Sequence, residues 1–256
     1  RGIDVKVYLT GDLHHYRRHE ETRESAGDGE PVQKITAGGG GAFLHPTHED
    51  DFSTLREEAI TDDIRPRTFE ARATYPSTAQ SARLAWGNLL FTLRNPRFGV
   101  VPAAIYLMTA WLVVAAAAGA TPTNPWQALR VTVDAFSTHP GLALWCGGIV
   151  LSFLAFTDTH SVIYRVLGGL LHSMAHFTAM FYLGWGALYL AGRWLPGDGV
   201  LRAALAGGLV FAGGWVVGSV VMGLYLLVSV NVFGRHSEEA FSGLRIEDFK
   251  HFLRLH

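Results

Sequence analysis

The sequence predicts a mixed protein, a partial α/β segment followed by an α-helical membrane bundle of four spans. Three observations predict it. Charge is unevenly spread: residues 1–98 carry 13 Lys+Arg and 15 Asp+Glu, whereas the longer stretch 99–256 carries 8 and 7. That second stretch holds four apolar runs, near 99–120, 142–157, 166–190 and 205–230, and about 20 predominantly apolar residues suffice to cross the hydrocarbon core as a helix. The first stretch opens with a β-prone run that ends in a cluster of Gly, Asp and His.

Taken in chain order, residues 5–10 alternate and are β-prone, so they read as a strand. The strand runs into Gly11-Asp12-Leu13-His14-His15-Tyr16-Arg17-Arg18. Carboxylate and neutral imidazole are ordinary ligands of divalent metals. Asp12 and His14 alternate on an extended backbone, so both can face one ion; the competing reading is a solvated polar loop. Residues 34–37 read as a second strand, followed by Gly38, Gly39, Gly40 and Gly41 and then by His45 and His48. Glycines permit close approach of backbone to a ligand, which makes Gly38–Gly41 and His45 candidate substrate-binding residues. A tight turn in a packed sheet, with surface histidines, accounts for the same pattern.

Residues 49–98 carry acidic runs at Glu49-Asp50-Asp51 and Asp62-Asp63. Ser77 is placed to cap a helix, and Ala82, Leu84, Ala85, Leu89, Leu90 and Leu93 give 77–94 an amphipathic spacing that Asn95-Pro96 ends. The chain thus divides into 1–75, a juxtamembrane helix in 76–98, a membrane region over 99–232 and a tail from 233 to 256.

In the membrane region every backbone polar group of a helical span is satisfied internally. Lys and Arg near the helix ends divide eight to three, the larger group being Arg83, Arg94, Arg97, Arg165, Arg235, Arg245, Lys250 and Arg254. The positive-inside rule then places both termini in the cytoplasm, in an integral protein of the inner membrane. Gly214 and Gly218 form a GxxxG pair that suits packing within the bundle or a homodimer through the fourth helix. Ionisable residues inside a bilayer are costly and point to function. His172 and His176 share one helix face, and with His160 and His236 they form an alternative metal site if the helices bring them together; hydrogen bonding between helices is the other reading. In the tail, Ser237 starts a helix and Leu244, Ile246, Phe249, Phe252 and Leu253 give it an apolar face.

The net charge of −1 implies no broad attraction to nucleic acid. Cys146 is the single cysteine, which excludes an internal disulfide and a Cys-based zinc site.

The Gly11–Arg18 run followed by Ile35 to His48 resembles the C-terminal end of a calcineurin-like metallophosphoesterase, fused to a multi-pass membrane region of bacterial type. In that family a strand ends in Gly-His-x-His, and a later strand leads into a glycine-rich turn. Gly11 takes the place of the motif glycine and His14 that of its last, metal-binding histidine; Asp12 stands where the first histidine is expected. Tyr16 and Arg18 match residues that follow in the purple acid phosphatase branch. The resemblance covers residues 3–48. It implies phosphoester hydrolysis at a site of two divalent ions, Mn, Fe or Zn, with Asp12 and His14 among the ligands. The family's Asp-x-His, Gly-Asp-x-x-Asp and Gly-Asn-His-Asp/Glu motifs do not precede Gly11 here, so the chain is expected to be part of a longer enzyme and inactive alone. A non-enzymatic membrane module that binds a metal or small ligand through its helix histidines, or a degenerate phosphoesterase used as sensor or scaffold, are the alternatives.

Overall fold

The computed structural model describes residues 5–48, 52–58, 66–117, 119–120, 122–157, 161–197 and 199–254. The chain forms two compact units, Arg1–Leu89 with Leu226–His256, and Leu90–Tyr225.

The first unit is built on a five-stranded mixed sheet of β1 (Val7–Thr10), β2 (Tyr16–Glu21), β3 (Gln33–Ala37), β4 (Thr54–Glu57) and β5 (Arg67–Tyr75), in the order β1-β3-β2-β5-β4. β1 and β3 run parallel, and the other pairs are antiparallel. The two strands expected around 5–10 and 34–37 are β1 and β3. β2 escapes a sequence reading because its alternation is one of burial and not of polarity. Arg17, His19 and Glu21 point inward and are buried, whereas Tyr16, Arg18 and Glu20 are half-buried.

That polar inner face is satisfied by segments that cover it. His19 Nε2 bonds the Phe52 carbonyl at 2.7 Å. The Arg17 guanidinium lies 4.2 Å from the centre of the Phe52 ring. Glu21 accepts hydrogen bonds from the Val32 N–H and from Ser25 Oγ, both at 3.1 Å. Such pairing is what makes buried polar groups tolerable. Phe69 of β5 is fully buried, with the Lys34 ammonium 4.4 Å from its ring centre and ion-paired to Glu57.

The helices are α1 (Arg23–Ala26), α2 (Thr78–Ala85), α3 (Phe91–Arg94), α4 (Val100–Ala116), α5 (Pro125–Thr138), α6 (Pro140–Phe156), α7 (Val162–Trp194), α8 (Val200–Phe233) and α9 (Ser237–Leu244). Ser77 caps α2 through a capping box with Gln80, as its position in the sequence suggests. The expected juxtamembrane helix is not continuous: residues 86–90 tighten into a 3-10 turn between α2 and α3.

Among the described residues two helices are long and apolar enough to cross a membrane, α7 with 33 residues and α8 with 34, and the count rises to three if the bent pair α5–α6 forms one span. At 1.5 Å per residue each is about 50 Å long, more than the hydrocarbon core requires. The four-span expectation is therefore corrected. The first apolar run is α4, which at 17 residues is a shorter apolar helix, and the second is α6, which with α5 forms a pair bent by 99° at His139. Pro140 is the physical cause of that break, since its ring lacks the N–H and disfavours helical geometry at His139.

The core of the second unit gathers Tyr106, Ile149, Met180, Ala187 and Val210 from four helices. The GxxxG glycines serve this packing. A Cβ on Gly214 would stand 3.1 Å from Ala103 Cα and Tyr106 Cβ, and one on Gly218 would run into the Pro102 ring. Gly214 and Gly218 thus pack against α4 of the same chain, the first of the two roles expected for them.

The tail begins as expected, with α9 at Ser237, but its helix stops at Leu244 because Arg245 takes a left-handed conformation, φ 52°. Ile246, Phe249, Phe252 and Leu253 lie beyond it in irregular chain, so no single apolar helix face forms; Phe252 is 87% exposed.

Candidate functional site

The topology brings the sequence motifs to one end of the sheet. β1, β3 and β5 run in one direction and β2 opposes them, so Thr10, Ala37 and Tyr75 end their strands where Tyr16 begins its own. The Gly11–His15 connection and the Gly38–Gly41 turn leave from that same end. In sheets with parallel strands this is where ligands are bound.

Residues 12–15 form a bend and not an extended strand. The alternation argument that aimed Asp12 and His14 at one ion through an extended backbone is corrected accordingly. The Asp12 side chain is exposed, and His14 is half-buried.

His14 is firmly placed. Its Nδ1 lies 2.9 Å from the Phe43 carbonyl, an oxygen that can only accept, so Nδ1 carries the hydrogen. The Nε2 lone pair is left for a ligand, the arrangement typical of metal-binding histidines whose other nitrogen donates to a carbonyl. The His14 N–H donates to His45 Nδ1 at 2.9 Å. His45 therefore carries its own hydrogen on Nε2, 4.0 Å from Glu238 Oε1. Burial, and then the neighbouring His14, hold the His45 pKa below the ordinary imidazole value. A neutral His45 that spends Nδ1 on the His14 backbone positions the loop.

The glycine run is shaped by its neighbours. A Cβ on Gly38 would stand 2.6 Å from the Gly11 carbonyl oxygen and 2.8 Å from the Leu13 carbonyl carbon. On Gly39 it would meet the His251 ring, and on Gly41 the His14 ring; only Gly40 of the four has open space above it. Close protein packing accounts for three of these glycines, and Gly40 remains as the substrate-facing candidate.

Two residues that sequence reasoning missed complete this end of the sheet. Lys250 Nζ donates to the Gly41 carbonyl at 2.6 Å. His251 packs edge-on against Tyr16 and Tyr75, with ring centres 5.8 and 6.3 Å apart. Nothing local in the sequence announces them, because over two hundred residues separate them from Gly41.

His15 is buried at 2% exposure, and among the described residues neither ring nitrogen has a hydrogen-bond partner of normal geometry. Desolvation, with Arg17 adding, lowers its pKa to about 4; the His45 backbone acts weakly in the opposite direction. His15 is thus neutral at physiological pH. Its neighbour on the chain, His14, is half-buried and keeps an Nε2 lone pair.

The remaining candidates belong to both units. His172 and His176 lie together in the second unit, with Nε2 atoms 3.2 Å apart. His236 belongs to the first unit, where its Nδ1 is 3.5 Å from Glu239 Oε2. His160 lies outside the described residues, as do Asp158 and the acidic runs at 49–51 and 62–63. Among the described residues no group of three or more His, Cys, Asp or Glu side chains is arranged to hold a metal ion. This limits what Asp12 and His14 can do unaided.

No protein-family model matches the chain, and no curated protein or solved structure matches it either.

Proposed function

We propose that this chain supplies the last metal motif of a membrane-anchored, calcineurin-like metallophosphoesterase. The observation that supports the reading best is the fixed tautomer of His14, whose Nδ1 hydrogen goes to the Phe43 carbonyl. That leaves Nε2 free to bind a metal beside a carboxylate at the ends of parallel strands. Two divalent ions, Mn, Fe or Zn, would clamp the phosphoryl group and activate the attacking water. His14 is one ligand and Asp12 a second or a hydrogen-bond acceptor for bound water; further ligands come from outside these 256 residues. The α7–α8 hairpin anchors the site in the lipid bilayer. Two spans joined by a short turn return the chain to the side it left, and the excess of Arg and Lys there makes it the cytoplasmic side.

The test is direct. The reading frame preceding Arg1 should encode Asp-x-His, Gly-Asp-x-x-Asp and Gly-Asn-His-Asp/Glu, and its product should hydrolyse bis(p-nitrophenyl) phosphate with added Mn²⁺. His14→Ala should lower kcat/KM by about 100-fold or more. A frame without those motifs removes the proposal. Asp12 in place of the motif histidine favours a second reading, a degenerate domain acting as scaffold; it predicts metal binding without turnover.

A further inference from the structure

We infer that residues 246–254 are an autoinhibitory strap, seated over the end of the sheet that carries His14 and the glycine turn, and that it must lift before a ligand reaches His14.

The seat is shaped for the strap. The chain leaves α9 at Arg245, whose left-handed backbone ends the helix. Phe241 and Leu244 of α9 are buried, so the strap has a fixed root. Three consecutive side chains then dock. Phe249 packs on Tyr75, with ring centres 5.3 Å apart. The Lys250 ammonium donates to the Gly41 carbonyl at 2.6 Å. The His251 ring lies on Gly39, where any Cβ would collide with it, and meets Tyr16 and Tyr75 edge-on. The glycine at 39 thus gives the strap its room, as a residue without Cβ allows. With the strap down, the space bounded by His14, Gly39, Phe43, Asp248 and Phe249 does not admit a water molecule.

The way the strap is held makes it displaceable. Residues 246–254 form neither helix nor strand. Among the described residues no backbone-to-backbone hydrogen bond ties them to the sheet. Segments with few buried contacts and no backbone ladder open at low free-energy cost. Phe249 adds strain, since its φ of 66° lies in the left-handed region that a bulky L-residue avoids. The docked side chains offset that strain only while the strap is down, so lifting relieves it. Past the three anchors, Phe252 is exposed and adds no hold.

A ligand that binds only the lifted form shifts the balance by its own affinity, and its apparent affinity falls by the fraction of chains that are closed. The strap governs whichever ligand His14 takes; under the phosphoesterase reading it keeps the site latent until substrate or metal competes it away.

The experiment uses the full chain in detergent micelles and diethyl pyrocarbonate, which acylates unprotonated imidazole. Peptide mass spectrometry follows the rate at His14 against added N-acetylhistidine. Lys250→Met keeps the side-chain stem and removes the ammonium, and should speed acylation of His14 about threefold. A chain ended after Arg245 should speed it about tenfold or more. Hydrogen exchange in β2 and β3 checks that each variant is folded, and Lys250→Met decides the matter if the shortened chain is not. Folded variants in which His14 reacts at the wild-type rate overturn the strap, as does wild type in which His14 already reacts as fast as N-acetylhistidine. Neither metal nor turnover enters this measurement. A strap that opens as expected, in a chain whose longer product fails to hydrolyse bis(p-nitrophenyl) phosphate, stands while the phosphoesterase reading falls.

Discussion

Replacing Gly41 by alanine puts a methyl group where the His14 ring lies. The ring cannot simply swing aside, because its Nδ1 is held at 2.9 Å by the Phe43 carbonyl and its backbone N–H is held by His45. Overpacking of this kind costs about 1–3 kcal/mol, and loss of either hydrogen bond adds about 1 kcal/mol. A displaced His14 should also weaken any metal it binds by about 10–100-fold, the usual effect of losing the group that orients a ligand. Gly40→Ala is the internal control. Nothing lies within 4 Å of its added Cβ, and its backbone is outside the left-handed region, so it should be neutral or stabilising by up to about 1 kcal/mol. Hydrogen–deuterium exchange over 38–48, a thermal melt and Mn²⁺ affinity read the pair. The Gly38 N–H bonds the His15 carbonyl at 3.3 Å and the Gly41 N–H bonds the Gly38 carbonyl at 3.0 Å, so Gly41→Ala should speed exchange there. The reasoning fails if Gly41→Ala matches wild type while Gly40→Ala is the damaging change.

Gly39→Ala should displace His251, and limited proteolysis should then cut within 245–254 faster than in wild type. Glu21→Ala leaves the buried Val32 N–H without its acceptor and should destabilise the sheet by about 2–4 kcal/mol, seen as faster exchange in β2 and β3. Acid should loosen the first unit. Burial depresses the pKa of His15 to about 4 and lowers those of His19, His45 and His48. The unfolded chain therefore binds more protons between about pH 6.5 and pH 4, and stability present above pH 6.5 is lost on descent through that window. His15 alone accounts for on the order of 3 kcal/mol. His15→Gln should flatten the pH dependence of the melt, and an unchanged profile would contradict the burial argument. In the second unit Gly218→Leu should push α4 from α8 by collision with Pro102, whereas Gly208→Leu meets open space; thermal stability in detergent should fall only for the former.

Much of the architecture is legible in local sequence because local forces produce it. The Ser77 cap follows from capping chemistry, the helix start at Ser237 from the acidic first turn of Glu238 and Glu239, and strands β1 and β3 from β-prone alternation in a few neighbouring residues. The apolar runs mark α7 and α8 because a spanning helix needs only length and apolarity. The bend at Pro140 was in the sequence too, but the apolar run around it masked it. Strand β2 was not legible: Arg17, His19 and Glu21 are buried only because Phe52, Val32 and Ser25 arrive from elsewhere to satisfy them.

The candidate site divides along the same line. The amino-acid order by itself determined that Asp12 and His14 follow a strand, that a glycine run follows the next one, and that His172 and His176 share a helix face. Each of these is a statement about spacing. Only the tertiary structure decided that His14 is held by Phe43 and His45, that His251 fills the space above Gly39, and that Tyr106 turns His176 toward His172. The orientation of a ring is set by the group that bonds its second nitrogen, and that group came from a distant part of the chain in the case of Tyr106, and of Phe43 and His45 across the sheet end.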